Sequence, residues 1–130
     1  MGAPSSHEVI IVVDDEEFVR AAFGDMLRTL GYTVLTATDG EHALAVMSEH
    51  RAAIHLVVSD ITMPAMDGLE FAALVRAAYP ALPVLLVSGE SPTFLMDNRE
   101  RVPEGTHFLG KPVSLGALAH QVRTILDSQG

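Results

Sequence analysis

Five short apolar runs recur along the chain, and each is followed by a stretch with helical spacing. Few folds accept that alternation, because each strand and each helix must bury a face against its neighbours. The first run, Val9-Ile10-Ile11-Val12-Val13 within residues 8–13, is continuous, as a parallel strand covered on both faces requires. Over residues 16–30, Val19, Phe23, Met26, Leu27 and Leu30 recur with a helical period, and Gly31 stands where a helix can end on a left-handed residue. Residues 32–37 predict a second strand. Asp39 caps a helix over 41–50 that turns Ala43, Leu44 and Met47 inward. Residues 54–58 predict the third strand, and a helix over 68–79 places Phe71, Leu74, Val75 and Ala78 on one face. Pro80 and Pro83 bracket its exit. Residues 84–87 predict the fourth strand, and Ser91-Pro92 opens a helix that Pro103 and Gly105 cut short. The polar stretch 97–101 reads as a solvated helix face. Residues 106–109 predict the fifth strand, and Ser114 caps a last helix with Leu115, Leu118, Val122, Ile125 and Leu126 on one face. The expected fold class is α/β: five βα units forming a doubly wound parallel sheet with right-handed crossovers. It spans residues 8–127, between an N-terminal tail of residues 1–7 and a C-terminal tail of residues 128–130.

Ligands of such sheets bind beyond the carboxyl ends of the strands, where strand order reverses. Polar residues gather at those ends here: Asp14-Asp15 after the first run, Asp60 after the third, Ser88 after the fourth and Lys111 after the fifth. Lys111 is the one lysine among eight basic residues; the others are arginine. Carboxylates crowded at one edge repel unless a cation joins them. Magnesium fits, since it takes oxygen ligands and retains waters. Asp60, alone at its strand end, is the candidate nucleophile, because a carboxylate can accept a phosphoryl group as an acyl phosphate. That transfer needs in-line positioning and fixed cations near the equatorial oxygens more than covalent help. Lys111 would supply a cation and Ser88 a hydroxyl donor. Pro112 would set the direction of the lysine through an X-Pro bond, which tolerates the cis form. The plainer reading of Asp14-Asp15 is that they cap the first helix.

Composition narrows the alternatives. A chain of 130 residues with 48% hydrophobic content builds one core. No apolar stretch approaches the ~18 residues of a membrane span, so membrane insertion is not expected. Residues 1–7 do not read as a secretory signal. There is no Cys, which removes disulfides and thiolate metal sites and suits a reducing compartment. A formal net charge of −9 disfavours direct nucleic-acid binding. The six histidines show no zinc spacing and read as surface or half-buried residues. Neither a P-loop nor a Gly-x-Gly-x-x-Gly run is present.

Five motifs, taken in order, carry a resemblance. They are Val12-Val13-Asp14-Asp15-Glu16, Ser59-Asp60-Ile61-Thr62-Met63-Pro64, Met66-Asp67-Gly68, Val87-Ser88-Gly89 and Gly110-Lys111-Pro112. Together they resemble response-regulator receiver domains, the phosphoacceptor modules of two-component signalling. The resemblance implies a flavodoxin-like fold with strand order 2-1-3-4-5. It implies Asp60 as the phosphorylated residue and Mg2+ held by Asp15, Asp60 and the carbonyl of Thr62, with Asp14 acting mostly through metal-bound water. Ser88 would follow the phosphoryl group and Lys111 would pair with it. Phe108 matches an aromatic switch position. The implied partner is a sensor histidine kinase or histidine phosphotransfer protein, in the cytoplasm. Phosphorylation would shift a two-state equilibrium toward the fourth and fifth helices. The departure from the family pattern is the short, interrupted fourth helix, and residues 89–105 are the segment expected to read out activation. No output domain fits in 130 residues, so the chain is either a stand-alone receiver or a piece of a larger regulator or hybrid kinase. Residues 102–112 resemble receivers attached to hybrid kinases. Oligomeric state is left open. An aspartyl phosphohydrolase, the enzyme rival, would want an acidic residue two positions after the nucleophile, where Thr62 stands.

Overall fold

A computed structural model of the chain describes residues 8–50 and 54–129. The elements in order are β1 Val9–Val13, α1 Glu17–Thr29, β2 Thr33–Ala37, α2 Gly40–His50, β3 Leu56–Asp60 and α3 Gly68–Ala78. They continue with β4 Val84–Ser88, α4 Pro92–Asp97, a 3-10 turn at Arg99–Arg101, β5 Thr106–Gly110 and α5 Leu115–Asp127. The sheet has five strands in the order β2-β1-β3-β4-β5, and every neighbouring pair is parallel. This is the flavodoxin-like arrangement expected from the sequence.

Strand alternation divides the core in two. Ile11, Val13, Val57, Val84 and Leu86 pack with Met47 of α2 and Phe71 and Val75 of α3. Ile10, Val12, Leu56, Val58, Leu85 and Val87 pack with Phe23 and Leu27 of α1 and Leu118, Val122 and Ile125 of α5. Both faces of β1, β3 and β4 are covered, which is why those strands read as unbroken apolar runs. Each fully buried Leu, Ile or Phe contributes roughly 2 kcal/mol by leaving water.

The helix ends follow the sequence signals. Asp39 Oδ1 accepts the N–H of His42 at 2.7 Å, Asp67 Oδ1 that of Glu70 at 2.8 Å, and Ser114 Oγ that of Ala117 at 3.1 Å. Ser91 Oγ accepts the N–H of Phe94 at 3.3 Å. Gly31 follows α1 with φ +100°, a left-handed backbone that a side chain would strain.

Four expectations need correction. The third strand begins two residues later than predicted, at Leu56. His55 is exposed; its Nδ1 accepts the Val9 N–H at 3.0 Å while its own N–H donates to the Val9 carbonyl. A side-chain nitrogen thus takes over a position in the ladder, and Asp60 becomes the last residue of β3. On α3, Leu74 is 45% exposed and Ala78, the last residue, is also exposed; Leu69 and Ala72 are buried instead. Leu115, the first residue of α5, is 41% exposed rather than inward. The stretch 97–101 is more than a solvated face, because Arg101 Nη2 meets both Asp67 oxygens at 2.9 and 3.0 Å. The N-terminal tail of residues 1–7, with His7, and Gly130 lie outside the described residues. In the C-terminal tail, Ser128 and Gln129 hydrogen-bond back to α5.

The Arg101–Asp67 pair ties the 3-10 turn to the N-terminus of α3. Burial pushes the Asp67 carboxyl up, but the hydrogen bonds from Arg101 and from the Glu70 and Leu69 N–H groups outweigh it and hold the carboxyl below its usual range. A depressed carboxyl contributes stability that is complete above the unfolded pKa of about 4 and is lost as pH falls through the lower folded value. Arg101→Gln should therefore lower stability at pH 7, by up to about 1 kcal/mol for a half-exposed pair. Urea unfolding at a series of pH values checks this: the gap to the parent closes in acid below the ordinary carboxylate range. A gap that is the same at every pH would assign the loss to packing.

Candidate functional site

Parallel register brings the carboxyl ends of four strands to one edge. Val13 lies beside Ser59, Asp60 beside Val87, and Ser88 beside Gly110. The residues just past Val13, at Asp60, at Ser88 and just past Gly110 therefore meet. One carboxylate oxygen each from Asp14, Asp15 and Asp60 lies within 4.8 Å of the others. Among the described residues this is the group of acidic or histidine side chains close enough to share a metal ion, and no histidine belongs to it. Lys111 Nζ stands 3.3 Å from Asp60 Oδ1. The Lys111–Pro112 peptide bond is cis.

The three carboxylates differ in surroundings. Asp14 is 4% exposed, and its Oδ1 accepts the Glu16 N–H at 2.8 Å. Burial pushes its carboxyl up; the Glu16 N–H opposes this, the Asp60 charge adds to it, Lys111 opposes, and Asp15 adds again. A buried carboxyl held up in this way beside two others is what an oxygen-liganded cation would relieve. The donor set, all carboxylate oxygen at the mouth of a cleft, suits magnesium with its retained waters. Asp15 is exposed, and among the described residues no hydrogen bond to its carboxylate is made. Part of the helix-capping reading stands beside the metal reading: Asp14 Oδ1 holds the N–H of Glu16, the N-cap of α1, whose own side chain makes no cap bond.

The loop after β3 closes the cleft. Asp15, Asp60, Thr62, Met63, Glu90 and Lys111 are among its lining residues. Thr62 is exposed and its hydroxyl donates to Glu90 Oε2 at 3.0 Å, bridging the loops after β3 and β4. Ala65 has φ +67°, inside a tight turn in which the Met66 N–H donates to the Pro64 carbonyl at 2.7 Å. Gly68 begins α3 against the end of β3, its N–H donating to the Ile61 carbonyl at 2.7 Å.

Ser88 is buried at the end of β4, and its Oγ accepts the Glu90 N–H at 2.8 Å. The Lys111 N–H donates to the Ser88 carbonyl at 2.8 Å, so the serine and the lysine share one backbone connection. Phe108 is half-buried on the face of β5 that packs with α3 and α4, the same face that Ser88 shares by alternation. Pro112 is exposed. The structure thus gathers Asp14, Asp15, Asp60, Thr62 and Lys111, with Ser88 beneath them and Phe108 further along β5. Sequence reasoning passed over Glu90, and also Arg20, whose Nη1 donates to the Asp14 carbonyl at 2.7 Å.

Residues 10–123 match the family model described as response regulator receiver domain. The chain belongs to that family. It is 35% identical over 127 residues to the sensor kinase CckA of Brucella abortus, covering 96% of this chain and 13% of that protein. It is 39% identical over 112 residues to the sensor histidine kinase RcsC of Salmonella typhi, covering 85% of this chain and 11% of that protein. The chain therefore spans about an eighth of the length of these relatives. Among solved structures, the receiver domain of the hybrid histidine kinase CckA aligns with a TM-score of 0.76 at 35% identity, covering 91% of this chain and 98% of that one. The receiver fold and the Asp14–Asp15–Asp60 cluster are consistent with magnesium-dependent aspartyl phosphorylation and conformational switching. The role typical of the family is that of a phosphoacceptor. Among the described residues no helix is long and apolar enough to cross a membrane.

Proposed function

We propose that this receiver accepts a phosphoryl group on Asp60 from the phosphohistidine of a sensor histidine kinase or a histidine phosphotransfer protein, in the cytoplasm. The observation that carries the reading is the 3.3 Å approach of the sole lysine to one oxygen of the one aspartate that ends β3, with Asp14 and Asp15 beside it. In the transfer, an Asp60 carboxylate oxygen bonds to phosphorus, the P–N bond to the imidazole breaks, and the nitrogen keeps the electron pair. Magnesium held by Asp15, Asp60 and the Thr62 carbonyl, with Asp14 in support, would neutralise charge on the phosphoryl oxygens. Lys111 would leave its pair with Asp60 for a phosphoryl oxygen. The Ser88 hydroxyl would turn from the Glu90 N–H toward the same group, and Phe108 would repack behind it. Residues 89–105 would carry that change to an output domain or protein. The folded unit in this reading is residues 8–127.

Docking of the donor is best served by α1. Phe18 is 90% exposed, and with Val19, Ala22, Met26, Pro112 and Val113 it lines an apolar groove that reaches Lys111. A helical partner laid there would bring a phosphohistidine to the cleft, and an apolar patch beside a reactive centre suits such docking.

Intact mass after incubation with acetyl phosphate and magnesium tests the reading. One phosphoryl group should be gained, lost on treatment with hydroxylamine, and absent in chelator. No gain in magnesium, from acetyl phosphate and from a panel of kinases alike, would overturn it. A second expectation concerns the lysine. Lys111→Ala should fold with a melting temperature close to that of the parent, since an ion pair at a cleft mouth is worth at most about 1 kcal/mol. It should still bind magnesium, yet fail to change its amide exchange over residues 89–110 with beryllofluoride. A variant that unfolds would make Lys111 structural.

A further inference from the structure

Asp15 is the exposed member of the acidic cluster, and among the described residues its carboxylate has no hydrogen-bond partner. Asp14 is different: it is buried, and its own carboxylate accepts the Glu16 N–H. The direction of the Asp15 side chain therefore depends on the backbone that presents it. The backbone of Asp14 is held at its N–H and at its carbonyl, and the carbonyl is part of the peptide that joins Asp14 to Asp15. The Asp14 N–H donates to the Ala37 carbonyl of β2 at 3.2 Å, and the Asp14 carbonyl accepts from Arg20 Nη1 at 2.7 Å.

Arg20 is the fourth residue of α1. A cation in the first turns of a helix lies at the wrong end of the macrodipole, at a cost of some tenths of a kcal/mol. Arg28, in the last turn, is where a basic residue is favoured. Long helical side chains lean toward the N-terminus, and from position 20 that lean carries the guanidinium back to residue 14. Arg20 is half-buried there, and among the described residues it takes part in no ion pair. A locally unfavourable residue whose one side-chain hydrogen bond is to the backbone of the acidic cluster points to a role in that cluster.

We propose that Arg20 is a positioning residue for the metal centre: by fixing the Asp14 carbonyl it sets the plane of the 14–15 peptide and so aims the Asp15 carboxylate at Asp60. This rests on the reading of Asp14, Asp15 and Asp60 as magnesium ligands. Residues that hold a ligand in place typically alter metal affinity about tenfold or more when removed.

Magnesium alone is the probe, with affinity measured by isothermal titration calorimetry at constant ionic strength. The parent should bind. Arg20→Met should bind about tenfold more weakly, and Arg20→Lys, which can still donate to one carbonyl, should recover most of the loss. Melting in chelator should separate Arg20→Met from the parent by far less than melting in magnesium does. In acetyl phosphate reactions the Arg20→Met defect should shrink as magnesium is raised to saturation. Equal magnesium affinity in Arg20→Met and the parent would overturn the proposal, as would equal weakening in Arg20→Lys and Arg20→Met. Failure of the parent itself to bind magnesium would instead overturn the metal-centre reading on which the proposal stands.

Discussion

Asp60→Asn should gain no phosphoryl group from acetyl phosphate under conditions in which the parent is fully converted. The amide has nearly the shape of the carboxylate, so the end of β3 need not move. Its nitrogen lone pair is delocalised and does not attack phosphorus, and the side chain no longer carries the negative charge that a magnesium ligand and a Lys111 partner require. The loss is therefore of chemistry and not of fold. Intact mass reads the first part and circular dichroism the second. Asp15→Asn makes a useful contrast, because it weakens the metal and leaves the nucleophile. Its phosphorylation should slow, by about 10–100-fold at limiting magnesium, and not vanish. An Asp60→Asn protein that gains the same phosphate as the parent would move the acceptor elsewhere.

The second large effect is expected away from the carboxylates. A Cβ built on Gly68 would lie 2.5 Å from the Asp60 carbonyl oxygen and 2.7 Å from the Ile61 Cα. Both are backbone atoms at the end of a buried strand, so neither can swing aside as a side chain would. Gly68→Ala must push α3 away from β3, or move the end of β3 with Asp60 on it. Overpacking of this kind costs about 3 kcal/mol. Urea unfolding should show a loss of that order, and phosphorylation in magnesium should fall at the same time. A variant with parental stability and parental phosphorylation would mean that the contact between strand end and helix start is looser than the geometry describes. Glycine is required here for space and not for an unusual φ.

Much of the site was legible because parallel strands end together. Once Val9–Val13, the run into Asp60, and the run into Lys111 are read as parallel strands, Asp14, Asp15, Asp60 and Lys111 come to one edge of the sheet, and the strand order implied by the resemblance puts β1 beside β3. Ser88 followed from the same logic. Arg20, Glu90 and Arg101 were not legible. Their contacts join Arg20 to a backbone carbonyl six residues away, Glu90 to Thr62 across 28 residues, and Arg101 to Asp67 across 34. Long polar side chains have many partners within reach, and no periodic pattern marks the one they take. Arg101 was read as part of a solvated face for that reason. Arg20 alone left a trace, a cation placed against the dipole of its helix.

The sequence by itself determined the kind and order of the elements, the caps of α2, α4 and α5, and the set of residues at the carboxyl edge of the sheet. These depend on hydrophobic period and on hydrogen bonds that span a few residues, so they are written locally. Only the tertiary structure decided where β3 begins, because that turned on the His55 ring replacing a backbone group opposite Val9. Only it decided that Leu74 and Leu115 stay outside, because burial at the margin of a helix depends on the neighbour that happens to cover it. And only it showed that Arg20 Nη1 reaches the Asp14 carbonyl, since that contact depends on how α1 packs back against the end of β1 and not on any local pattern.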